Sequence, residues 1–481
     1  MSLSASLNNA LSGLGLSARR AEIISSNVAN ADTPGYARRR LSTGGPVTGV
    51  PSGNLQVGRE VDPALQFLRR DAQSKAANTS IAQSFNSRLD IAIGDPGQSG
   101  SLQDFLSRLD AAFTSAAADP TSLTRLATIA RSAEDVAVKL NTLADLVTSE
   151  RQAAETSISQ TVDRVNADLG AVSRLNVDIL RMRATGNDPS NLLDQRQLLV
   201  DRISEDIPIR QLHRDNGTIA LVSQGGVILL DGRPAQIAFD ARTMIQPDMT
   251  YPDQLAGLTV NGKPAGTGEQ GDGLAGGRLG GLFSLRDRSA TTAMNRLDAF
   301  ATDIAVRLQA HSTDPTLGAT EPGLFTDGGL RVDSAAATGL AGRIQVNDRV
   351  RPGQDPELWR FRDGLAASTE GPLSDPSQIL RFGKALRKVD PPISDALGGD
   401  AGDMVSLGAR LRSAVSLDRL QSDDAHERAS GQASALLEMR DGGKVDVDEE
   451  MRRLIEVEQA YAANARLVQA VGQMMDRLTE I

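Results

Sequence analysis

The sequence predicts a mainly α-helical protein with inserted β structure, in which the N- and C-terminal helices pair as a coiled coil. A helical rod-like domain and an outer β-rich domain lie between them. Three observations support this fold class. Both ends carry narrow apolar stripes with alternating three- and four-residue spacing. Long stretches between them have helical periodicity. One shorter section alternates with period two around Asn-Gly and Asp-Gly turns.

The two terminal stripes are narrower than the apolar face of a helix that docks on a globular core. The first contains Leu3, Leu7, Ala10, Leu14, Ser17, Ala21, Ile24 and Val28, and the second contains Leu454, Val457, Tyr461, Asn464, Val468, Val471, Met475 and Leu478. We therefore expect each stripe to pack against the other stripe or against a neighbouring copy. The predicted assembly seam consists of Leu3, Leu7, Leu14, Ile24 and Val28 with Leu454, Val457, Tyr461, Val468, Met475 and Leu478.

The first helix is predicted to end by Asn30, because a turn follows it. Pro34 and Gly35 take the central positions of that turn, where proline fixes φ and glycine can adopt a positive φ. Thr33, which precedes the proline, is disfavoured in the helical region. The chain must therefore change direction here. The triplet Arg38-Arg39-Arg40 comes next, and we interpret it as a solvated face or a subunit contact.

Helical signals dominate the next part of the chain, after a loop rich in Gly and Pro from about 44 to 58. Asp62-Pro63 opens one helix and Ser101 caps a second. A third begins at Thr121 and meets little to break it before Gly186. At about 1.5 Å per residue, this helix would extend for several tens of ångströms.

The β section is placed by hairpin turns at Asn216-Gly217, Asp231-Gly232 and Asn261-Gly262. The predicted organisation is an N-terminal helix and turn (1–40), the first part of a helical rod domain (41–205), an inserted β domain (206–281), a helix returning to the rod domain (282–311), an irregular outer region with some β structure (312–376), the last part of the rod domain (377–440) and the C-terminal helix (441–481).

Composition and charge argue against several classes of function. The net charge of -10 disfavours a nucleic-acid partner. The sequence contains no run of about 18 apolar residues, so we expect no membrane-spanning helix and no membrane partner. The first residues lack a basic segment followed by an apolar one, so no secretory signal of the general pathway is expected. With no Cys, the sequence offers no disulfide and no thiolate chemistry.

The patterns tested for chemistry are negative. His213, His311 and His426 lie far apart and lack metal-protease spacing. The glycine signature at 266–271 continues into more glycine instead of a helix, so we interpret it as a linker. The acidic run that begins at Asp446 is expected to cap the last helix, with Asp446 or Asp448 as the capping residue. We predict no catalytic residue, no cofactor and no metal site.

Two motifs near the ends of the sequence carry a family resemblance. Residues 25–36, Ser-Ser-Asn-Val-Ala-Asn-Ala-Asp-Thr-Pro-Gly-Tyr, resemble the N-terminal signature of the bacterial flagellar rod, hook and hook-associated axial proteins. The segment from Val445 to Met451, followed by Glu-Gln-Ala-Tyr-Ala-Ala-Asn-Ala at 458–465, resembles their C-terminal motif. The matching family residues are Asn27, Asn30, Thr33, Pro34, Gly35, Tyr36, Gln459, Ala460, Tyr461 and Asn464.

The resemblance implies a structural protein of the flagellum that is not an enzyme. Its helical interior is similar to that of the member at the junction between hook and filament. The implied partners are copies of itself, the hook protein, the second junction protein and an export chaperone at the C-terminal helix. The implied route is export through the flagellar type III system. Two alternatives stay open: a hook or distal rod protein, and a secreted binding or enzymatic protein that uses the β insertion.

Overall fold

The computed structural model describes residues 3–44, 54–267, 273–353, 355–441 and 445–479. The chain divides into two compact units. The first unit comprises Met1–Lys75, Arg164–Gln236 and Ser430–Ile481, and the second comprises Ala76–Asp163 and Ile237–Ala429. The predicted mainly α-helical fold with inserted antiparallel β structure is confirmed.

Helices form most of the described chain. They are α1 (Leu3–Ala29), α2 (Pro63–Ile93), α3 (Leu102–Ala118), α4 (Leu123–Ala184), α5 (Ser190–Asp206), α6 (Gly277–Ser284), α7 (Ala290–Gln309), α8 (Leu340–Arg343), α9 (Arg360–Asp363), α10 (Ser377–Arg387), α11 (Met404–Asp441) and α12 (Val447–Thr479). A π-helical turn, Leu285–Ser289, connects α6 to α7. In the described parts of the chain, no helix has the length and apolar character needed to cross a membrane.

The strands form small antiparallel sheets. They are β1 (Arg39–Gly44), β2 (Asn54–Arg59), β3 (Ile209–His213), β4 (Ile219–Ser223), β5 (Ile228–Asp231), β6 (Arg233–Pro234), β7 (Ile237–Phe239), β8 (Leu258–Val260), β9 (Lys263–Ala265), β10 (Phe325–Asp327) and β11 (Ile344–Val346). The first and last pairs are hairpin-like ribbons, and the others form the sheets β3-β4-β5-β6 and β7-β8-β9.

The local signals identified most element boundaries correctly. The carboxylate of Asp62 accepts the backbone N–H groups of Ala64 and Leu65 at 2.8 and 3.2 Å, and the hydroxyl of Ser101 accepts the N–H of Asp104 at 3.2 Å. The helix predicted between Thr121 and Gly186 is α4, an unbroken helix of 62 residues. The predicted turn glycines, Gly217, Gly232 and Gly262, all have positive φ.

The predicted loop from about 44 to 58 is wrong at both edges. Residues 39–44 pair with residues 54–59 in an antiparallel ribbon, with Leu41 opposite Val57. The Gly and Pro content that suggested a loop is concentrated in 45–53, which lie outside the described residues, as do 268–271 of the glycine signature and Gly442-Gly443. Composition averaged over the whole segment concealed two short strands that satisfy each other's backbone groups.

A single buried side chain fastens the β3–β4 hairpin to α4 in the first unit. The Nδ2 atom of Asn176 donates to the carbonyl of Ile219 at 2.9 Å, and its Oδ1 atom accepts the N–H of the same residue at 3.2 Å. The same oxygen also accepts from Nη1 of Arg196 at 2.8 Å. Apolar packing around this contact comes from Val172 and Ile179, which are both fully buried.

Replacement of Asn176 should loosen this hairpin. Asn176→Ala leaves both backbone groups of Ile219 without their partner and removes one of the two acceptors of Nη1 of Arg196. We therefore expect the local opening free energy to fall by about 2–4 kcal/mol. Native-state hydrogen exchange at the amides of β3 and β4 measures this change. Arg174→Ala, an exposed change on the same helix, should alter it by less than about 0.5 kcal/mol. Equal protection in the two variants would contradict this assignment.

Candidate assembly interface at the paired terminal helices

Helix α1 packs along α12 in the first unit. One row of α1 at heptad spacing, Ala10, Ser17 and Ile24, is buried at 3, 6 and 7% exposure. The approach is closest at Gly13, where an added Cβ would lie 2.7 Å from Nδ2 of Asn464. Small side chains on α1 therefore allow close contact between the two helices.

The structure places the predicted seam residues in different environments. Ile24 is buried, and Leu3, Leu7, Leu14, Val28, Leu454, Val457 and Val468 are half-buried. Tyr461 and Met475 remain exposed at 48 and 40%. The side chain of Leu478 lies outside the described residues. The two stripes thus face each other along part of their width.

Several apolar side chains of α12 remain exposed and recur at a regular spacing. Val447, Tyr461 and Met475 are 14 residues apart in sequence, so they share one heptad position, and all three are exposed. Leu467 and Met474 occupy the neighbouring heptad position and are also exposed, at 50 and 55%. We call these five residues the open row of α12. Leu454 and Val468, at the same heptad position as the first three, are half-buried, so this side of α12 is covered only in part.

Asn27 is the centre of a hydrogen-bond cluster where α1 ends. Its side chain is 1% exposed. The Oδ1 atom accepts the hydroxyl of Tyr36 at 2.8 Å and the backbone N–H of Arg39 at 2.9 Å. The Nδ2 atom donates to the carbonyl of Arg39 at 3.1 Å and to Oε2 of Glu450 at 2.9 Å. One amide therefore joins α1, the start of β1 and the first turn of α12.

Glu450 supplies the charge in this cluster. It is 1% exposed, and its Oε1 atom accepts from Nε of Arg38 at 2.9 Å and from Nη1 of Arg453 at 3.2 Å. The same turn of α12 is capped by Asp446, whose carboxylate accepts the N–H groups of Asp448 and Glu449 at 3.0 and 3.2 Å. The expectation that Asp446 or Asp448 caps this helix is met by Asp446.

A second carboxylate connects the same segment to α5. Asp194 accepts from Nε of Arg59 at 2.8 Å and from the N–H of Ala37 at 3.3 Å. Its Oδ2 atom, which is buried, lies 3.5 Å from Nη2 of Arg39. Burial raises the pKa of Asp194, and the nearby Arg59 opposes that rise. Burial also raises the pKa of Tyr36, which keeps its phenol as the neutral donor to Asn27.

The interpretation of Arg38-Arg39-Arg40 as a solvated face is wrong for its first two members. The side chains of Arg38 and Arg39 are 12 and 10% exposed and lie against Glu450 and Asp194, whereas Arg40 is 57% exposed. Sequence reasoning missed these carboxylates, because each lies more than 150 positions from its arginine. The acidic start of the C-terminal motif was the signal for Glu450.

The turn after α1 has the predicted geometry. Gly35 has φ +80°, and an added Cβ would lie 2.5 Å from Cγ of Leu198 on α5. Thr33 accepts the N–H of Tyr36 through its carbonyl at 3.1 Å, and Nδ2 of Asn30 donates to the carbonyl of Ser26 at 2.8 Å. Glycine is therefore required here by both the backbone conformation and the packing.

The other motif residues do not join this cluster. Thr33 and Pro34 are exposed at the turn, and Gln459 and Ala460 are exposed on α12. Asn464 contacts α1 at Gly13, as described above. Among the residues that the structure describes, no group of three or more His, Asp or Glu side chains is arranged to hold a metal ion.

Comparison with known proteins finds similarity at both ends of the chain. A family model described as "Flagella basal body rod protein" matches residues 7–36, and one described as "Flagellar basal body rod FlgEFG protein C-terminal" matches 442–481. These are the segments that meet at Asn27 and Glu450. Both ends of the chain are therefore similar to flagellar basal body rod proteins, a family of structural proteins and not of enzymes.

The interior match is more specific. The model "Flagellar hook-associated protein FlgK helical domain" covers residues 86–316. Flagellar hook-associated protein 1 of Salmonella typhimurium is 27% identical over 329 residues, which are 65% of this chain and 57% of the relative. The protein of that name from Bacillus subtilis is 23% identical over 96% of each chain. The chain is therefore similar, over 65 to 96% of its length, to proteins named flagellar hook-associated protein 1.

Coverage differs among the relatives. The chain spans 57% of the length of the Salmonella relative and 55% of that of Escherichia coli hook-associated protein 1, to which it is 26% identical. A solved structure, "The structure of the flagellar hook junction protein FlgK from Burkholderia pseudomallei", is 20% identical, with a TM-score of 0.44 over 55% of this chain and 47% of that chain.

Loss of the Glu450 carboxylate should open the paired ends. Glu450→Ala removes the buried counter-charge of Arg38. It also leaves one N–H of the Asn27 side chain without an acceptor. We expect the opening free energy of the α1–α12 pair to fall by about 3 kcal/mol. Hydrogen exchange at the amides around Asn27 and in the first turns of α12 measures it.

Glu456→Ala is the matched control, because Glu456 is an exposed glutamate on the same helix. We expect it to change the opening free energy by less than about 0.5 kcal/mol. If the two variants exchange at the same rate, the buried cluster does not hold the helices together.

Proposed function

We propose that this chain is a structural component of the bacterial flagellum that forms the junction between hook and filament. It assembles with copies of itself through α1 and α12. The open row of α12 is the single observation that carries this proposal. The names of the relatives, all hook-associated protein 1, support the position at the hook.

The open row has the chemistry of a helix-helix seam. Val447, Tyr461 and Met475 share a heptad position with Leu454 and Val468, which are half-buried in the single chain. A helix that presents exposed apolar side chains in register is an interaction site, since isolated exposed apolar residues do not align in this way. Burying each large side chain completely would contribute about 1.5–3 kcal/mol. A neighbouring copy that covers the row would complete the stripe.

The proposal gives each predicted segment a place in the assembly. In the assembly, the helices of 1–40 and 441–481 form the coiled-coil wall, and the rod and β regions lie between them along the chain. The buried cluster of Asn27 and Glu450 fixes how α1 and α12 meet before a neighbour binds. The side chains of the open row remain exposed in the single chain.

Further partners are supported by the family resemblance. They are the hook protein on one side, the second junction protein on the other and an export chaperone on α12. A chain without Cys suits export through the flagellar type III channel, because no cystine can form to obstruct passage. The open row is an apolar surface of the kind that a chaperone covers before assembly.

Cells that lack the protein distinguish the junction from the alternatives within the family. Electron microscopy should show hooks without filaments. Absence of hooks would instead indicate a hook or distal rod protein.

A charge in the open row should separate folding from assembly. Tyr461→Asp changes a side chain that is exposed in the single chain. The free energy of unfolding of the variant should therefore differ from that of the unchanged chain by less than about 0.5 kcal/mol. In the assembled wall, the same carboxylate would be buried without a partner, at a cost of several kcal/mol. We expect the variant to appear in the medium and not in purified flagella, as measured by immunoblotting of both fractions.

Gln473→Asp is the matched control, because it adds the same charge at an exposed position on the outer side of α12. It should leave filaments and swimming normal. Normal filaments with Tyr461→Asp would contradict the assignment of the open row to assembly.

A further inference from the structure

The first unit contains a cavity of about 710 Å³ with a strongly basic wall. Its volume lies in the range of small-molecule sites. One side is formed by β3 and β4, with residues such as His213 and Ile219, and another by the start of α5. Six arginines line it, and Asp188 is the one carboxylate among the described lining residues. The arginines are Arg19, Arg59, Arg70, Arg183, Arg196 and Arg214.

Two of these arginines have no carboxylate partner within the described chain. Arg19, Arg59, Arg70 and Arg214 pair with Glu22, Asp194, Asp201 and Asp231. Arg196 is 6% exposed and donates only to neutral oxygens, Oδ1 of Asn176 at 2.8 Å and the carbonyl of Gly217 at 2.9 Å. Arg183 is exposed at the rim. A buried guanidinium without a counter-ion is a costly arrangement that a bound anion would relieve.

Glycine shapes the rim around Arg183. Gly217 has φ +84°, and an added Cβ there would lie 2.2 Å from Nη1 of Arg183. The missing side chain therefore lets this guanidinium lie directly against the β3–β4 turn. The carbonyl of the same glycine accepts from Arg196. The turn thus brings two arginines without carboxylate partners to one side of the cavity.

Electrostatics at two further groups agree with a positive cavity. Burial, together with the smaller effects of the Arg59 and Arg183 charges, lowers the pKa of Arg196 to about 10. Burial also lowers the pKa of His213, and Arg196 and Arg70 add to that effect. The carboxylate of Asp188 lies at the first residue of α5, where it accepts the N–H and the hydroxyl of Ser190 at 3.0 and 2.6 Å.

The start of α5 adds to the same potential. This helix begins at Ser190 on the cavity wall and contains 17 residues. The positive, N-terminal end of its macrodipole therefore lies at the cavity wall, and the negative end at Asp206 lies away from it. Oxyanions with several oxygens commonly accept hydrogen bonds from guanidinium groups and from the backbone N–H groups at a helix N-terminus.

We propose that this cavity binds a small oxyanion of the phosphate class, either free or carried by a small molecule. Arg183 and Arg196 are its charged ligands. Inorganic phosphate is the probe, and the whole chain is the test protein. His213 lies on the wall and reports occupancy directly, since an anion beside it raises its pKa.

The experiment titrates phosphate into histidine-labelled protein at constant ionic strength, with chloride as the replaced ion, and follows the three His side chains by NMR. We expect a saturable shift and a raised pKa at His213, while His311 and His426, which belong to the second unit, stay unchanged. Arg183→Gln should weaken binding about tenfold, as loss of one charge-assisted contact does. Removing this exposed side chain breaks no contact that folding needs.

Arg181→Gln is the matched control, because Arg181 is an exposed arginine on the same helix turn that pairs with Asp178 at 2.9 Å. It should bind phosphate as the unchanged chain does. Equal affinity of Arg183→Gln and the unchanged chain would overturn the proposal, as would the absence of a saturable shift at His213. Phosphate-independent self-association that requires Arg183 would also overturn it, and would assign the cavity to a carboxylate of a second copy.

Discussion

The carboxamide of Asn27 is the interaction on which the arrangement of the ends depends. It satisfies both backbone groups of Arg39, accepts from Tyr36 and donates to Glu450. Asn27 and Glu450 are each 1% exposed, so neither side chain could turn to solvent if the other were absent. An apolar side chain of the same size could fill the volume but could not satisfy these groups. The direction in which α1, β1 and α12 leave this point follows from one side chain.

The same cluster separates two kinds of contact on α12. Its first turn is fixed by buried charge and hydrogen bonds, which are directional and specify one geometry. The remainder of the helix meets α1 through small and aliphatic side chains and leaves the open row uncovered. Hydrophobic contacts of that kind tolerate exchange of partners more readily than a buried ion pair does. A subunit that joins others needs both properties, a fixed internal angle and an apolar surface that remains available.

The basic cavity shows how far a tertiary arrangement can depart from overall composition. The chain has a net charge of -10, yet the fold gathers six arginines around one space. They come from α1, β2, α2, α4, α5 and the β3–β4 turn, so no window of the sequence contains the cluster. Acidic residues pair with four of these arginines and leave Arg183 and Arg196 without a carboxylate partner in the described chain. Net charge is a property of the sum, whereas a binding site depends on where the charges lie.

Local features of this protein were determined by the sequence itself. The stripes on α1 and α12, the cap residues Asp62, Ser101 and Asp446, the turn at Pro34-Gly35 and the length of α4 all follow from interactions between residues a few positions apart. Such interactions have a readable period or a fixed spacing. The β1–β2 ribbon was not predicted from the sequence, because its two strands are short and lie at the edges of a segment rich in Gly and Pro.

The tertiary structure alone decided which groups meet across long separations. Arg38 and Glu450 are 412 positions apart, and Ala37 and Asp194 are 157 apart. No periodicity connects such pairs, because side-chain contact depends on where the backbone brings each residue and not on spacing along the chain. The same reason explains why the stripe on α12 was recognised while its division into a covered part and an open row was not. The pattern specifies an apolar seam, and only the position of α1 determines how much of that seam is already occupied.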